Sequence, residues 1–257
     1  MAVAGPVPRT RAPLIARILP PAAVAAESSG DLSLPGGDLP RPSGDLPLLG
    51  GDLPRPSGDL PPPGGGLFPA EARAVATAGP SRRAEFTAGR RCARAALADL
   101  GVPATPILPG PAGEPGWPDG VTGSITHCPG YRACAVARTR DLAAIGIDAE
   151  PDEELPAGLL DAVATPWEQA WIRRQAAAGP PVRWARLVFS AKEAAAKAWY
   201  PLSGRWPDLA ELTVAATPAG GLSVRLTGAA PSLPATLTGR WLARDGLIVT
   251  AVTGPPS

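Results

Sequence analysis

The tripeptide Gly-Asp-Leu recurs five times between residues 28 and 66, each copy seven residues after the last. Proline follows the leucine in four copies, at Pro40, Pro47, Pro54 and Pro61. Because proline breaks a helix interior, the seven-residue period cannot be that of a coiled coil. Leucine is the main large apolar residue here, so the segment cannot bury enough surface to offset its ordering entropy. We predict that residues 28–66 form a disordered insert with no role in catalysis. The fold must therefore form from the rest of the chain.

Length, charge and cysteine usage narrow the class of protein. The 257 residues suffice for one large domain or two small ones with a real core. A formal net charge of +1 gives no general attraction for nucleic acid. The sequence has no run of about 18 apolar residues, so we predict no membrane span. Arg17 interrupts the apolar run near the N-terminus, which disfavours a signal peptide. The cysteines Cys92, Cys128 and Cys134 form no C-x-x-C pattern, which favours a reduced, cytoplasmic protein.

Hydrophobic periodicity and turn residues predict an α+β fold, with helices packed on antiparallel strands. A helix should run over Ser81–Leu100, with a serine N-cap and a glycine after its last residue. We expect an opening strand at Leu14–Leu19, and a hairpin formed by the strands Tyr131–Ala137 and Leu142–Ala149. Other helices are predicted at Leu155–Ala164, Pro166–Ala178 and Leu187–Tyr200, and an antiparallel sheet from Leu212–Val214, Leu222–Leu226, Thr236–Trp241 and Leu247–Val252.

Three carboxylates are spaced so that they could converge. Asp148 and Glu150 end the apolar stretch 145–150, and residues i and i+2 of a strand share a face. Glu193 precedes Lys197 by four residues, which puts both on one face of a helix. A strand end with two carboxylates facing such a helix would suit a hard cation and a phosphorylated ligand.

Each acid also has a purely structural interpretation. Acid pairs at strand ends are mostly solvated, although ionising both Asp148 and Glu150 is costly unless a cation lies between them. Ser190 and Glu193 match a capping box, in which each side chain bonds a backbone N–H at the start of a helix. Lys192, beside Glu193, could merely flank the helix surface. The alanines nearby leave room for a ligand, and the sequence keeps both interpretations open.

Basic and hydroxyl side chains in the first half of the chain could hold a phosphate. His127, the only histidine, follows a Gly-Ser-x-Thr turn that ends at Thr126 and offers hydroxyl and backbone donors. A lone histidine is more often a surface or core residue with satisfied hydrogen bonds. Arg83, Arg90 and Arg94 fall along one stripe of the first predicted helix, which indicates a solvated basic edge or an anion-binding face.

Five motifs resemble one enzyme family. They are RRAEFTAGRRCARAALADLG at 82–101, GEPGWPDG at 113–120, GSITHCPGYRACAVA at 123–137, IGIDAEP at 145–151 and LVFSAKEAAAKAWYPL at 187–202. Together and in this order they resemble the 4′-phosphopantetheinyl transferases of the enterobactin-synthase-component-D type, especially the actinobacterial branch. The resemblance covers about residues 12–27 and 70–252.

The resemblance implies a pseudo-twofold arrangement of two similar α+β halves with coenzyme A in the cleft between them. Residues 1–27 and 67–140 would form the half that binds the nucleotide phosphates. Residues 141–252 would form the half that binds metal and carrier, and 253–257 would be a tail. The family moves the phosphopantetheine arm of coenzyme A to a serine of an acyl or peptidyl carrier protein and releases adenosine 3′,5′-bisphosphate. We therefore expect a monomeric, cytoplasmic enzyme that serves fatty-acid, polyketide, nonribosomal-peptide or siderophore synthases.

Roles for single residues follow from the same resemblance. Asp148, Glu150 and Glu193 would hold Mg²⁺ against the pyrophosphate, and the metal would neutralise charge on the transferring and leaving phosphates. Glu193, or a water on the metal, would help to deprotonate the carrier serine, and Lys197 would contact the phosphate. The nucleotide phosphates would be gripped by Arg82, Arg90, Thr126 and His127.

Three departures from the family pattern leave alternatives open. Pro109 and Ala112 stand where basic residues are usual, and Ala196 stands where an aromatic residue is common. The segment 207–209, Pro-Asp-Leu, replaces the usual Leu-Gly-Phe. These changes threaten coenzyme A affinity or carrier preference more than the metal chemistry. One alternative is therefore a catalytically impaired module that binds coenzyme A or a carrier. Another is a metal-dependent phosphodiester hydrolase that cleaves coenzyme A without an acceptor protein.

Overall fold

Two antiparallel sheets form the framework of the protein. The computed structural model describes residues 12–30, 66–179 and 182–255, so most of the predicted disordered insert lies outside the described residues. The first sheet has the order β1-β3-β2 and the second β4-β8-β7-β6-β5. The strands are β1 (Ala23–Ser29), β2 (Val121–Cys128), β3 (Tyr131–Arg138), β4 (Ala144–Pro151), β5 (Leu212–Ala216), β6 (Gly221–Leu226), β7 (Thr236–Arg244) and β8 (Leu247–Gly254). The predicted α+β class with two halves is confirmed, although the halves differ in strand number.

Helices cover the outer faces of the two sheets. They are α1 (Pro69–Ala74), α2 (Pro80–Asp99), α3 (Leu159–Val163), α4 (Pro166–Ala178) and α5 (Trp184–Ser203). One apolar cluster lies between α2 and the first sheet, one between the two sheets, and the largest between α5 and the second sheet. In the described parts of the chain, no helix is long and apolar enough to cross a membrane.

Two predictions for the first half were wrong because of long-range packing. The segment Leu14–Leu19 contains a 3₁₀ helix, Ile15–Ile18, and the first strand follows it. Leu14, Ile15 and Ile18 are buried with helical spacing, because they close one end of the core between the sheets. Tyr131–Ala137 does not pair with Leu142–Ala149. Instead β3 turns back on β2 through Gly130, whose φ of 75° favours glycine, and β4 pairs with β8. The predicted turn before His127 is thus part of β2.

Several element boundaries also differ from the prediction. Helix α2 begins at Pro80 with Gly79 as its N-cap, two residues before the predicted cap Ser81. Only Leu159–Val163 of the predicted helix at 155–164 is helical. Helix α5 starts at Trp184 and continues through Pro201 to a left-handed cap at Gly204. Strand β8 extends to Gly254, into the predicted tail.

Small residues let α5 approach β4 closely. Gly146 lies beneath the helix, and a Cβ at this position would overlap the carbonyl oxygen of Ala194. Ala191, Ala195 and Ala198 are fully buried on the same helix. The short distance between helix and strand places the charged side chains Glu193 and Lys197 of α5 against the carboxylates of β4.

Side-chain hydroxyls join the two sheets. β2 and β4 are edge strands of different sheets, and no backbone ladder connects them among the described residues. The Ser124 hydroxyl accepts a hydrogen bond from the Ile147 N–H at 3.1 Å, and the Thr126 hydroxyl accepts one from the Ala149 N–H at 3.1 Å. This hydroxyl joint satisfies amides on the free edge of β4 and brings Thr126 beside Asp148.

Candidate active site

A stripe of charged side chains on α5 faces the end of β4. Arg186, Glu193 and Lys197 are separated by seven and four residues, close to two turns and one turn of helix, so they share one face. Asp148 and Glu150 point toward this stripe, while Ile147 packs in the core between the sheets, as the strand alternation predicted. The site therefore contains three acids and two bases.

Asp148 is the most enclosed of the three acids. Only 5% of the residue is exposed. Lys197 Nζ donates to its Oδ1 at 2.7 Å, and the Thr126 hydroxyl donates to the same oxygen at 3.3 Å. The other oxygen, Oδ2, is buried without a hydrogen-bond partner. Such an unpaired buried carboxylate oxygen is costly, and a cation would satisfy it.

Glu150 lies in a setting that disfavours its charge. Burial and the negative charge of Asp148 raise the pKa of Glu150 to about 7, although Arg186 opposes this shift. Arg186 Nη1 donates to Glu150 Oε2 at 2.9 Å. Sequence reasoning missed Arg186, although its spacing of two helical turns from Glu193 was a usable signal.

Glu193 completes the group, and its capping interpretation was wrong. Ser190 is in the interior of α5 and not at its start, and its hydroxyl lies 2.9 Å from that of Thr250 on β8. Burial raises the pKa of Glu193, Lys197 lowers it and Asp148 raises it, with a net upward shift. Glu193 on α5 and Asp148 on β4 are thus close enough for the charge of Asp148 to raise the pKa of Glu193.

Lys197 is held as a cation. Burial would lower the pKa of Lys197, but the charges of Asp148 and Glu193 outweigh this effect and raise it. Lys192, in contrast, is fully buried away from the site in an ion pair with Glu168 at 2.8 Å. The expectation that Lys192 flanks the helix surface was therefore wrong.

The donor set fits Mg²⁺. As they stand, no three His, Cys, Asp or Glu side chains within the described ranges form a ready-made metal cluster. The three acids nevertheless supply hard oxygen ligands, and Asp148 Oδ2 has no hydrogen-bond partner. Burial, with a smaller contribution from the negative charge of Asp148, raises the pKa of Glu150 and of Glu193. The metal role of these residues stays a prediction.

His127 and Thr126 point in opposite directions because they are neighbours on a strand. Thr126 faces β4, whereas His127 faces α2, where its Nε2 lies 3.5 Å from Glu85 Oε2. Arg82 Nη1 lies 3.7 Å from the same carboxylate oxygen. Arg132 lies opposite His127 in the ladder and is only 7% exposed. The hydrogen bond from His127 lowers the pKa of Glu85, and the charge of Arg132 adds a smaller contribution. Glu85 and Arg132 thus form a charged cluster with Arg82 and His127, and sequence reasoning did not identify these two residues.

The arginine stripe of α2 is not a uniformly solvated edge. Arg83 is exposed. Arg90 is buried, its Nε donates to the Ile107 carbonyl at 2.6 Å, and burial lowers its pKa to about 10. Arg94 forms an ion pair with the buried Glu71 at 2.9 Å. Arg90 and Arg94 thus help to hold the first half together.

The loop with the unusual Pro109 and Ala112 has its own stabilising contacts. Glu114 accepts a hydrogen bond from the Ala112 N–H at 2.9 Å. Burial, the charge of Glu114 and a hydrogen bond to it raise the pKa of Tyr200 on α5. Glu114 therefore links this loop of the first half to the second half.

Comparisons with known proteins agree with the two-part fold. A family model described as the 4′-phosphopantetheinyl transferase N-terminal domain matches residues 70–137, and one described as the 4′-phosphopantetheinyl transferase superfamily matches residues 144–249. The chain is 51% identical over 191 residues to the 4′-phosphopantetheinyl transferase Svp of Streptomyces mobaraensis, covering 72% of this chain and 78% of that protein.

Two further relatives cover similar shares of the chain. PptT of Mycobacterium tuberculosis, also a 4′-phosphopantetheinyl transferase, is 44% identical over 193 residues, covering 72% of this chain and 84% of its own length. Enterobactin synthase component D of Salmonella typhimurium is 33% identical over 186 residues, covering 69% of this chain and 74% of that protein. The predicted resemblance is confirmed: the chain belongs to the 4′-phosphopantetheinyl transferase superfamily and is an enzyme of that type.

Proposed function

We propose that this enzyme transfers the 4′-phosphopantetheine arm of coenzyme A to a serine of an acyl or peptidyl carrier protein in a Mg²⁺-dependent reaction. The family supports transfer from coenzyme A to carrier proteins. The observation that carries the finer proposal is the placement of Glu193 and Lys197 on α5 against Asp148 and Glu150 on β4.

Asp148, Glu150 and Glu193 would hold the metal. When bound, Mg²⁺ supplies positive charge that stabilises the pyrophosphate and the charge developing on the leaving phosphate. Thr126 orients Asp148 through its hydroxyl, and Lys197 holds the other side of the same oxygen. Both contacts keep Asp148 Oδ2 directed away from protein donors.

The remaining residues would bind substrate and move a proton. Glu193, or a water on the metal, would accept the proton of the carrier serine. The serine oxygen then forms a bond to the phosphorus that bears the pantetheine arm, and the bond from that phosphorus to the bridging oxygen breaks. Adenosine 3′,5′-bisphosphate leaves with the bridging oxygen. Lys197 would contact the phosphate, while Arg82, Arg90 and His127 would bind the nucleotide phosphates.

Residues 67–140, with the N-terminal segment, would then bind the nucleotide, and residues 141–252 the metal and carrier. We also place the enzyme in the cytoplasm as a monomer. Its described cysteines are free and buried, which fits a reducing compartment.

The test is to incubate the chain with coenzyme A, Mg²⁺ and an apo carrier protein and to weigh the carrier. We expect a mass gain of one phosphopantetheine group, release of adenosine 3′,5′-bisphosphate, and loss of both products with EDTA or in Asp148→Ala. Coenzyme A binding without a mass gain would favour the impaired binding module. Cleavage of coenzyme A without a carrier would favour the hydrolase.

A further inference from the structure

All three guanidinium nitrogens of Arg186 donate hydrogen bonds to the segment 150–154. Nη1 donates to Glu150 Oε2 at 2.9 Å, Nε to the Glu153 carbonyl at 3.1 Å, and Nη2 to the Glu154 carbonyl at 2.6 Å. Only 11% of the side chain is exposed. One residue of α5 therefore fixes both a carboxylate of the site and the backbone that leaves β4.

Arg183 offers a natural comparison. It lies one turn earlier and reaches the same segment, with its Nη1 2.8 Å from Glu154 Oε1. Both partners are exposed, at 46% and 73% of their side chains, and the contact is a single ion pair. Exposed pairs of this kind contribute little.

We propose that Arg186 is a positioning residue that sets the place of Glu150 and of the segment 150–154. This inference rests on the proposed function, in which Glu150 is a metal ligand. Side chains that hold metal ligands in place typically change metal affinity or activity by about 10- to 100-fold when they are removed. A planar guanidinium makes its bonds in fixed directions, which a lysine ammonium cannot reproduce.

The test compares Arg186→Met and Arg186→Lys with the matched control Arg183→Met. Mn²⁺ binding to each enzyme alone is measured by electron paramagnetic resonance, and amide hydrogen exchange is followed at residues 152–155. Arg186→Met should weaken Mn²⁺ binding, and raise the Mg²⁺ concentration for half-maximal transfer, by about 10- to 100-fold. It should also speed exchange in that segment. Arg186→Lys should show a smaller shift in the same direction, and Arg183→Met should stay within about twofold of wild type.

Wild-type Mn²⁺ affinity and wild-type exchange in Arg186→Met would overturn the inference, even if the variant were slower or less stable. If Arg186→Met does not fold, Arg186→Lys decides in the same way. A wild-type chain that binds Mn²⁺ but never modifies a carrier would overturn the proposed function. In that case the Mn²⁺ comparison among the variants would still decide the role of Arg186.

Discussion

Removing the Lys192 charge should destabilise the fold far more than removing that of Arg183, which forms an exposed ion pair at the start of α5. Lys192 has no exposed surface. Its Nζ donates to Glu168 Oε2 at 2.8 Å, to the Val163 carbonyl at 2.6 Å and to the Leu209 carbonyl at 3.0 Å. Lys192→Met keeps an unbranched apolar stem but removes the charge and all three hydrogen bonds.

The carboxylate of Glu168 would then remain buried without a counter-ion. It still accepts hydrogen bonds from the Val214 N–H at 2.7 Å and from the Thr165 N–H at 2.8 Å, so it cannot easily move to solvent. Breaking a buried ion pair from one side costs about 3–5 kcal/mol. At about 2–4 °C per kcal/mol for a protein of this size, Tm should fall by roughly 6–20 °C.

Thermal and urea unfolding at pH 7 measure this effect. The double variant Lys192→Met/Glu168→Gln should be more stable than the sum of the two single changes predicts, by about 0.5–3 kcal/mol. Arg183→Met is the control, because its pair with Glu154 is exposed at 46% and 73% of the two side chains; it should change Tm little. A loss below about 1 kcal/mol in Lys192→Met would refute the reasoning, since it would match an exposed pair.

Three further predictions concern the site and its supports. Glu193→Gln should lower kcat by about 100- to 10,000-fold with little change in Tm, because the proton acceptor is lost; a normal kcat in the carrier assay would exclude Glu193 as the base. Gly146→Ala should cost about 1–3 kcal/mol in urea unfolding and slow transfer, because the new Cβ meets the Ala194 carbonyl oxygen and pushes α5 from β4; unchanged stability and rate would contradict the close approach. Glu85→Gln should cost less than about 1 kcal/mol at pH 7, because the hydrogen bond from His127 lowers the pKa of Glu85. A depressed carboxyl pKa stabilises the fold above the unfolded pKa, and this gain is lost as pH falls through the folded pKa. The difference from wild type should therefore shrink as melts are taken to pH values below the ordinary carboxyl pKa, and a difference that does not shrink would count against the pair.

Local sequence patterns predicted the elements that carry the site. The alternation of Ile147, Asp148 and Ala149 predicted a strand with its acids on one face, and the structure confirms it. The spacing of Glu193 and Lys197 predicted a shared helix face, because a turn of helix repeats after nearly four residues. These predictions succeeded because they depend only on residues a few positions apart.

Partners distant along the chain could not be predicted. Lys192 looks like a surface residue until Glu168, 24 positions earlier, is placed against it. The run Leu14–Leu19 is apolar enough for a strand, and only the space between the two sheets selects the 3₁₀ helix. The hairpin was misassigned for the same reason, since the sequence does not say that β4 prefers β8.

The hydroxyl joint also affects the tendency to aggregate and the strength of the contact between the two sheets. Exposed strand edges can recruit strands of other molecules, but the facing edges of β2 and β4 cover each other. Two amide-to-hydroxyl bonds cross this seam, each worth only about 1 kcal/mol net, and the Thr126 hydroxyl also donates to Asp148. A backbone ladder would join the sheets through many bonds, whereas this seam depends on a few side chains and on the core packed between the sheets. Substitution of Ser124 or Thr126 would therefore weaken the contact between the sheets and leave the backbone pairing within each sheet unchanged.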